Sequence, residues 1–203
     1  GHGTLIAGAI GGLDSGLTAG AALMTLRVLD ETGTGEWDSI AEAIRYAVDN
    51  GADIINLAQE IDRPSRSIEE QIRYADENDV LVVVAAGNQE ADSPSWLGQL
   101  SARYENVVSA GAIGQDGRKL PESNLVGDSG AVQIDATGTT FGILPNEQWA
   151  TYRGTSVATA YVTSAAGAAL AGNPELTAAQ LRELLIASSS VEASGSDSMG
   201  TLD

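Results

Sequence analysis

The 203-residue sequence contains no cysteine, a single histidine, a single lysine and only 4% aromatic residues. Without cysteine there are no disulfides, and the redox compartment stays open. No apolar run approaches the roughly 20 residues that span a bilayer, so no membrane partner is predicted. Ten Lys and Arg against 28 Asp and Glu give a net charge of −18. This balance disfavours nucleic acid as a partner, because phosphate backbones need clustered cations.

The acidic excess leaves two explanations open. A solvated acidic surface that resists aggregation accounts for it, and so does adaptation to a high-salt environment. No stabilisation by molar NaCl or KCl would exclude the second. The sequence also lacks an Asp-x-Asp-x-Asp-Gly loop, so it shows no calcium-binding motif of that type.

Apolar runs alternate with amphipathic stretches, a pattern typical of βαβ units and a mostly parallel sheet in an α/β fold. A chain of this length is most simply one domain, which we place at residues 1–188. The Ser/Gly/Asp-rich residues 189–203 are expected to form a flexible tail. Strands are predicted at residues 22–29, 53–57, 80–85, 107–112 and 131–136, and helices at residues 36–50, 67–78, 155–171 and 177–188.

Three polar residues stand where an α/β fold presents side chains to a ligand. His2 precedes a small-residue apolar stretch with helical spacing, although a lone histidine is more often structural. Asn88 follows a predicted buried strand. It is either a turn residue or an amide that faces the crevice at the carboxyl ends of the strands. Ser156 lies at the start of an alanine-rich helix. It is either a helix cap or a nucleophile, in which case the helix N-terminus would stabilise the oxyanion of the tetrahedral intermediate.

Taken together, the strings around these residues resemble the subtilisin-like serine proteases, or subtilases. They read HGT-x-x-AG from His2, AAGN ending at Asn88, and GTS-x-A around Ser156. Arg27-Val28-Leu29 and residues 51–56 resemble two further strands of the family. The resemblance runs from Gly1 to about Leu185 and implies a three-layer fold, with helices on both faces of the sheet.

The resemblance also implies a role for each residue. Ser156 would attack the scissile carbonyl, His2 would transfer the proton, and Asn88 with the Ser156 N–H would hold the oxyanion. Two cleft walls would bind extended peptide backbone. One wall is Leu57, Ala58, Gln59 and Glu60, and the other is Ala85, Ala86 and Gly87. No cofactor is required, calcium as a structural ion is left open, and family habit suggests an extracytoplasmic location.

The subtilase pattern breaks at the carboxylate that orients the histidine. In the family this Asp lies upstream on the first sheet strand, whereas Asp14 and Asp30 follow His2 and match no motif. We therefore expect this chain alone to lack the N-terminal strand and to be inactive or very weak. An N-terminal fragment or partner chain would complete it.

A second departure lies in the cleft wall, where Ala58-Gln59-Glu60 replaces the family's Ser-Leu-Gly. Glu60 either favours basic substrate side chains, partly blocks the cleft, or points to solvent. The leading function is a serine endopeptidase acting on peptide or protein substrates. The alternative is a non-catalytic subtilase-like module for peptide binding or assembly. A dinucleotide-binding fold is disfavoured because Ile6 stands where its third glycine belongs.

Overall fold

A computed structural model describes residues 1–12, 16–145, 148–190 and 201–202 of the chain. Its helices and strands follow in chain order. They are α1 (His2–Gly11), α2 (Trp37–Asp49), β1 (Ile54–Leu57), α3 (Arg66–Glu77), β2 (Leu81–Ala85), α4 (Trp96–Gln99), β3 (Val107–Ile113), β4 (Gln133–Thr137), β5 (Thr139–Ile143), β6 (Trp149–Arg153), α5 (Thr155–Gly172), α6 (Ala178–Ser188), β7 (Ser189–Ser190) and β8 (Thr201–Leu202).

The main sheet has the strand order β1-β2-β3-β4-β8-β7, and its first four strands run parallel. Helices cover both faces, as predicted, because the strands are apolar on both sides. Val82 and Val84 join the core under α2 and α3, whereas Leu81 and Val83 join the core under α5 and α6. The fold is therefore a three-layer α/β sandwich.

The long helices form where the apolar spacing places them, and local signals mark their ends. The Thr177 side chain accepts from the Gln180 N–H, and the Gln180 side chain accepts from the Thr177 N–H. This reciprocal pair is a capping box at the start of α6. The Ser65 hydroxyl likewise accepts from the Ile68 N–H at the start of α3. Each cap satisfies backbone donors that a helix start leaves without partners.

The predicted strand at residues 22–29 is wrong. These residues form no regular secondary structure, and residues 21–27 are exposed, including Leu23, Met24 and Leu26. Within the described chain β1 pairs only with β2, and the backbone of residues 22–29 joins no ladder. An apolar pattern alone does not make a strand, because a strand needs a neighbour to receive its hydrogen bonds.

A polar group interrupts the apolar sheet between β3 and β4. Asp135 is 3% exposed and lies opposite Gly111 in the register, where any Cβ would collide with its carboxylate. Its Oδ2 lies 3.2 Å from Lys119 Nζ, and its Oδ1 accepts from Gln133 Nε2 at 3.1 Å. The buried charge is therefore paired and hydrogen-bonded, as burial requires.

The remaining elements lie at the periphery. Strands β5 and β6 form a separate antiparallel hairpin, which the sequence pattern did not predict. Most of the expected flexible tail lies outside the described residues, and its ends contribute β7 and β8. No helix in the described ranges is long and apolar enough to cross a membrane.

Candidate active site

Ser156 is the second residue of α5 and is partly exposed. Its hydroxyl donates to the carbonyl oxygen of Ala58 at 3.1 Å, which joins the helix start to the end of β1. The Thr155 N–H and the Val157 N–H on either side are both bonded. Within the described chain the Ser156 N–H itself has no acceptor, so one backbone donor at this helix N-terminus is available.

Asn88 lies beside this helix start, three residues after the end of β2. Its side-chain Oδ1 accepts the Thr155 N–H at 2.9 Å. Because the Thr155 nitrogen can only donate, this bond identifies the Asn88 oxygen and leaves Nδ2 as the exposed donor group. No described residue accepts from Nδ2. Asn88 Nδ2 and the Ser156 N–H are thus two unpaired donors flanking one hydroxyl.

Gly154 makes this close approach feasible. Its φ is +135°, and a Cβ at this position would lie 2.9 Å from Asn88 Oδ1. Thr155, the next residue, adds a second contact, since its Oγ1 accepts from the Gly87 N–H at 3.3 Å. The turn before Ser156 and the loop after β2 are therefore locked together through two hydrogen bonds.

Asn124 holds the other side of the Asn88 loop. It is 2% exposed, and its Oδ1 accepts from the backbone N–H groups of Gln89 and Ala91 at 2.9 and 3.1 Å. Its Nδ2 donates to the Ala86 carbonyl and to Gln89 Oε1, each at 3.1 Å. A single buried amide therefore fixes the loop that carries the candidate oxyanion donor.

His2 is the first residue of α1, which packs against α5 through a small apolar cluster that includes Leu5, Ala58 and Ala160. Its ring centroid lies 5.3 Å from that of Tyr152, four residues before Ser156. No hydrogen bond joins His2 to Ser156 in the described structure. Catalytic hydrogen bonds are often long in structures without substrate and tighten when substrate binds.

Burial lowers the pKa of the His2 imidazole below its ordinary value. The ring is therefore neutral at physiological pH, which is the form that accepts a proton. Among the described residues, no carboxylate perturbs it. Asp30 accepts hydrogen bonds from Thr32 and Thr34 instead, and Asp14 lies outside the described residues.

Glu60 bridges the two expected cleft walls. Its Oε2 accepts from the Asn88 backbone N–H at 3.3 Å, and the Gln89 side chain also bonds to it. Burial raises the pKa of the Glu60 carboxyl, the bond from Gln89 opposes this, and the charge of Asp62 adds to the rise. The Glu60 carboxylate is therefore bonded to the backbone of the residue that carries the candidate oxyanion amide.

The structure brings Asn88, Ser156, Ala58 and Glu60 together through direct bonds, and places His2 on the packed neighbouring helix. Sequence reasoning missed three residues that position this group. Thr155 was visible inside the GTS string, and Tyr152 lies just upstream of it. Asn124 belongs to a polar, turn-rich segment without a motif, so no local signal distinguishes it.

The described ranges hold no group of three or more His, Cys, Asp or Glu that could bind an ion. No calcium ligand is therefore assigned among the described residues, and calcium as a structural ion stays a prediction.

Comparisons with known proteins agree with this architecture. A family profile described as the subtilase family matches residues 1–200. Subtilisin Savinase from Lederbergia lenta is 33% identical over 191 residues, covering 91% of this chain and 68% of that protein. Subtilisin amylosacchariticus from Bacillus subtilis subsp. amylosacchariticus is 30% identical over 190 residues and covers 91% of this chain. The chain spans only about half, 49%, of that relative.

Solved structures give the same result. Sphericase superposes with a TM-score of 0.86 at 28% identity, covering 98% of this chain and 75% of that one. The prenylagaramide maturation protease PagA also gives 0.86, at 27% identity, with 100% and 79% covered. Both likenesses extend over nearly the whole described fold, including the helices that carry His2 and Ser156.

Proposed function

Because the chain belongs to the subtilase family, we propose that it is a serine endopeptidase, or the part of one that bears His2, Asn88 and Ser156. One observation carries the proposal. Two unpaired donors, Asn88 Nδ2 and the Ser156 N–H, flank a serine hydroxyl at a helix N-terminus. Such preorganised donors stabilise the charge that develops on a carbonyl oxygen under attack.

The proposed reaction begins when the Ser156 hydroxyl turns from the Ala58 carbonyl towards His2. Ser156 Oγ bonds to the substrate carbonyl carbon as its proton passes to the neutral His2 ring. The carbonyl oxygen becomes an oxyanion held by Asn88 and the Ser156 N–H. His2 then protonates the leaving amine as the C–N bond breaks. Water hydrolyses the resulting acyl-serine ester by the same route.

Labelling with a fluorophosphonate probe tests the proposal. The probe phosphonylates an activated serine, so we expect Ser156 to be labelled and Ser156→Ala to abolish the labelling. Ser188→Ala, at the exposed end of α6, is the matched control and should leave the labelling unchanged. Lack of label on Ser156 in a folded, completed assembly would refute the proposal.

A second candidate, a non-catalytic peptide-binding or assembly module, is favoured by one contact. The Ser156 hydroxyl is bonded to the Ala58 carbonyl and not to His2. If this bond persists when peptide binds, Ser156 never becomes a nucleophile. Peptide binding without cleavage, and with no probe label, would support the module over the enzyme.

We also propose that another segment or chain completes the sheet and supplies the carboxylate that orients His2. Two observations support this proposal. Within the described chain β1 has one free edge, and the apolar side chains of Leu23, Met24 and Leu26 are exposed on a segment without a ladder partner. A free edge and exposed apolar side chains both favour pairing with a further strand.

Hydrogen exchange tests the completion. In the chain alone we expect rapid exchange across residues 22–29, because their N–H groups join no ladder. The amides of β2 and β3, inside the sheet, are the control and should be protected. A well-protected segment at 22–29 in a monodisperse monomer would contradict the proposal.

The extracytoplasmic location stays a prediction.

A further inference from the structure

Glu60 is a partly buried carboxylate that no cation neutralises in the described structure. The ion pairs there use other acids: Asp49, Glu69, Glu70, Glu77, Glu122 and Asp135. Glu60 instead accepts the Asn88 N–H and a bond from Gln89, and the like charge of Asp62 is near. A carboxylate in such surroundings is stabilised by any cation that reaches it.

The cleft brings a substrate side chain to this carboxylate. A carbonyl under attack at Ser156 has its oxygen directed to Asn88, whose own backbone N–H is bonded to Glu60. On the other wall, Glu60 is only two residues from Ala58, which touches the Ser156 hydroxyl. The side chain next to the attacked carbonyl therefore starts beside Glu60. The long flexible stems of Arg and Lys carry a cation that distance.

We propose that Glu60 selects substrates with Arg or Lys at the residue that contributes the scissile carbonyl. The inference rests on the proposed function, because it takes Ser156 and Asn88 as the point of attack. Arginine fits best, since its planar guanidinium can bond to the carboxylate through two N–H groups. The Gln89 and Asn88 contacts hold the carboxylate in place, so little side-chain entropy is lost when the cation binds.

Binding to the Ser156→Ala chain tests the proposal without requiring catalysis. Two peptides differ only in arginine or its neutral isostere citrulline at the selected residue. We expect the arginine peptide to bind about tenfold more tightly, the order of one hydrogen bond to a charged group. Glu60→Gln should reduce this ratio to about one. Glu42→Gln, an exposed acid on α2, is the control for the overall charge of −18 and should leave the ratio intact.

Two results would overturn the proposal. The first is equal binding of the arginine and citrulline peptides to the Ser156→Ala chain, or a preference for arginine that persists after Glu60→Gln is added. The second is an equal rise in the affinity of both peptides on Glu60→Gln and Glu60→Ala, which would show that Glu60 only obstructs the cleft. Thermal melting of each variant confirms that it is folded. Failure of the proposed function is read separately, from the missing fluorophosphonate label on Ser156.

Discussion

Replacing Gly154 with alanine tests the lock between the Asn88 loop and α5. The φ of +135° strains any residue with a Cβ, at a cost of about 1–3 kcal/mol. The new Cβ would also lie 2.9 Å from Asn88 Oδ1 and displace it from the Thr155 N–H. Losing that bond adds about 0.5–1.5 kcal/mol. We therefore expect Gly154→Ala to lower the free energy of unfolding by about 2–4 kcal/mol.

Thermal unfolding followed by circular dichroism measures the effect. For a chain of this size the loss corresponds to a fall in Tm of roughly 5–15 °C. Gly172→Ala is the matched control, because a Cβ there meets no atom within 4 Å and the φ is not positive. It should be neutral or stabilise by up to about 1 kcal/mol. A Gly154→Ala chain that melts within 1 °C of the parent would refute the reasoning.

Three further predictions follow from single residues. The only histidine, His2, should titrate by NMR with a midpoint below its ordinary value of about 6.5. Because folding favours the neutral ring, the free energy of unfolding should fall as the pH drops below 6.5 towards the pKa in the folded state. An NMR midpoint at or above 6.5 would contradict this prediction. Asn124→Ala should cost about 2–4 kcal/mol in urea unfolding, because it leaves the backbone N–H groups of Gln89 and Ala91 without an acceptor. Asn78→Ala removes one exposed hydrogen bond and should cost under about 1 kcal/mol in the same assay. Thr177→Ala removes the capping box of α6 and should cost about 1 kcal/mol in the same assay, and an unchanged midpoint would show that the cap contributes nothing.

Most of the fold was predictable because its apolar periodicity is strong. Helices α2, α3, α5 and α6 lie within a few residues of their predicted bounds. Helices α2 and α3 have a buried face at helical spacing, whereas α5 is buried on most sides and was predicted from its many alanines. The strands β1 to β4 were equally visible as short apolar runs. The hairpin of β5 and β6 was missed because neither strand has a buried residue, so no alternation of buried and exposed positions marks them.

Residues 22–29 show where pattern reasoning fails. Their apolar and β-branched content is that of a strand, but pairing depends on a neighbour that the sequence pattern cannot supply. The candidate site behaved differently. The resemblance to subtilases implied that Asn88 and Ser156 lie together, and the structure bonds the Asn88 side chain to Thr155, the residue before Ser156. The Ser156–Ala58 bond and the Asn124 contacts needed coordinates, since they join segments with no sequence relation.

The pairing of Asp135 with Lys119 also bears on misfolding. Strands β3 and β4 are buried along most of their length, so burial alone scarcely distinguishes their native alignment from one shifted by two residues. Such a shift would carry the Asp135 carboxylate away from Gly111 and from Lys119, and leave an uncompensated charge inside the protein. Lys119, the one lysine of the chain, therefore makes a shifted register of β3 and β4 less stable than the native one during folding.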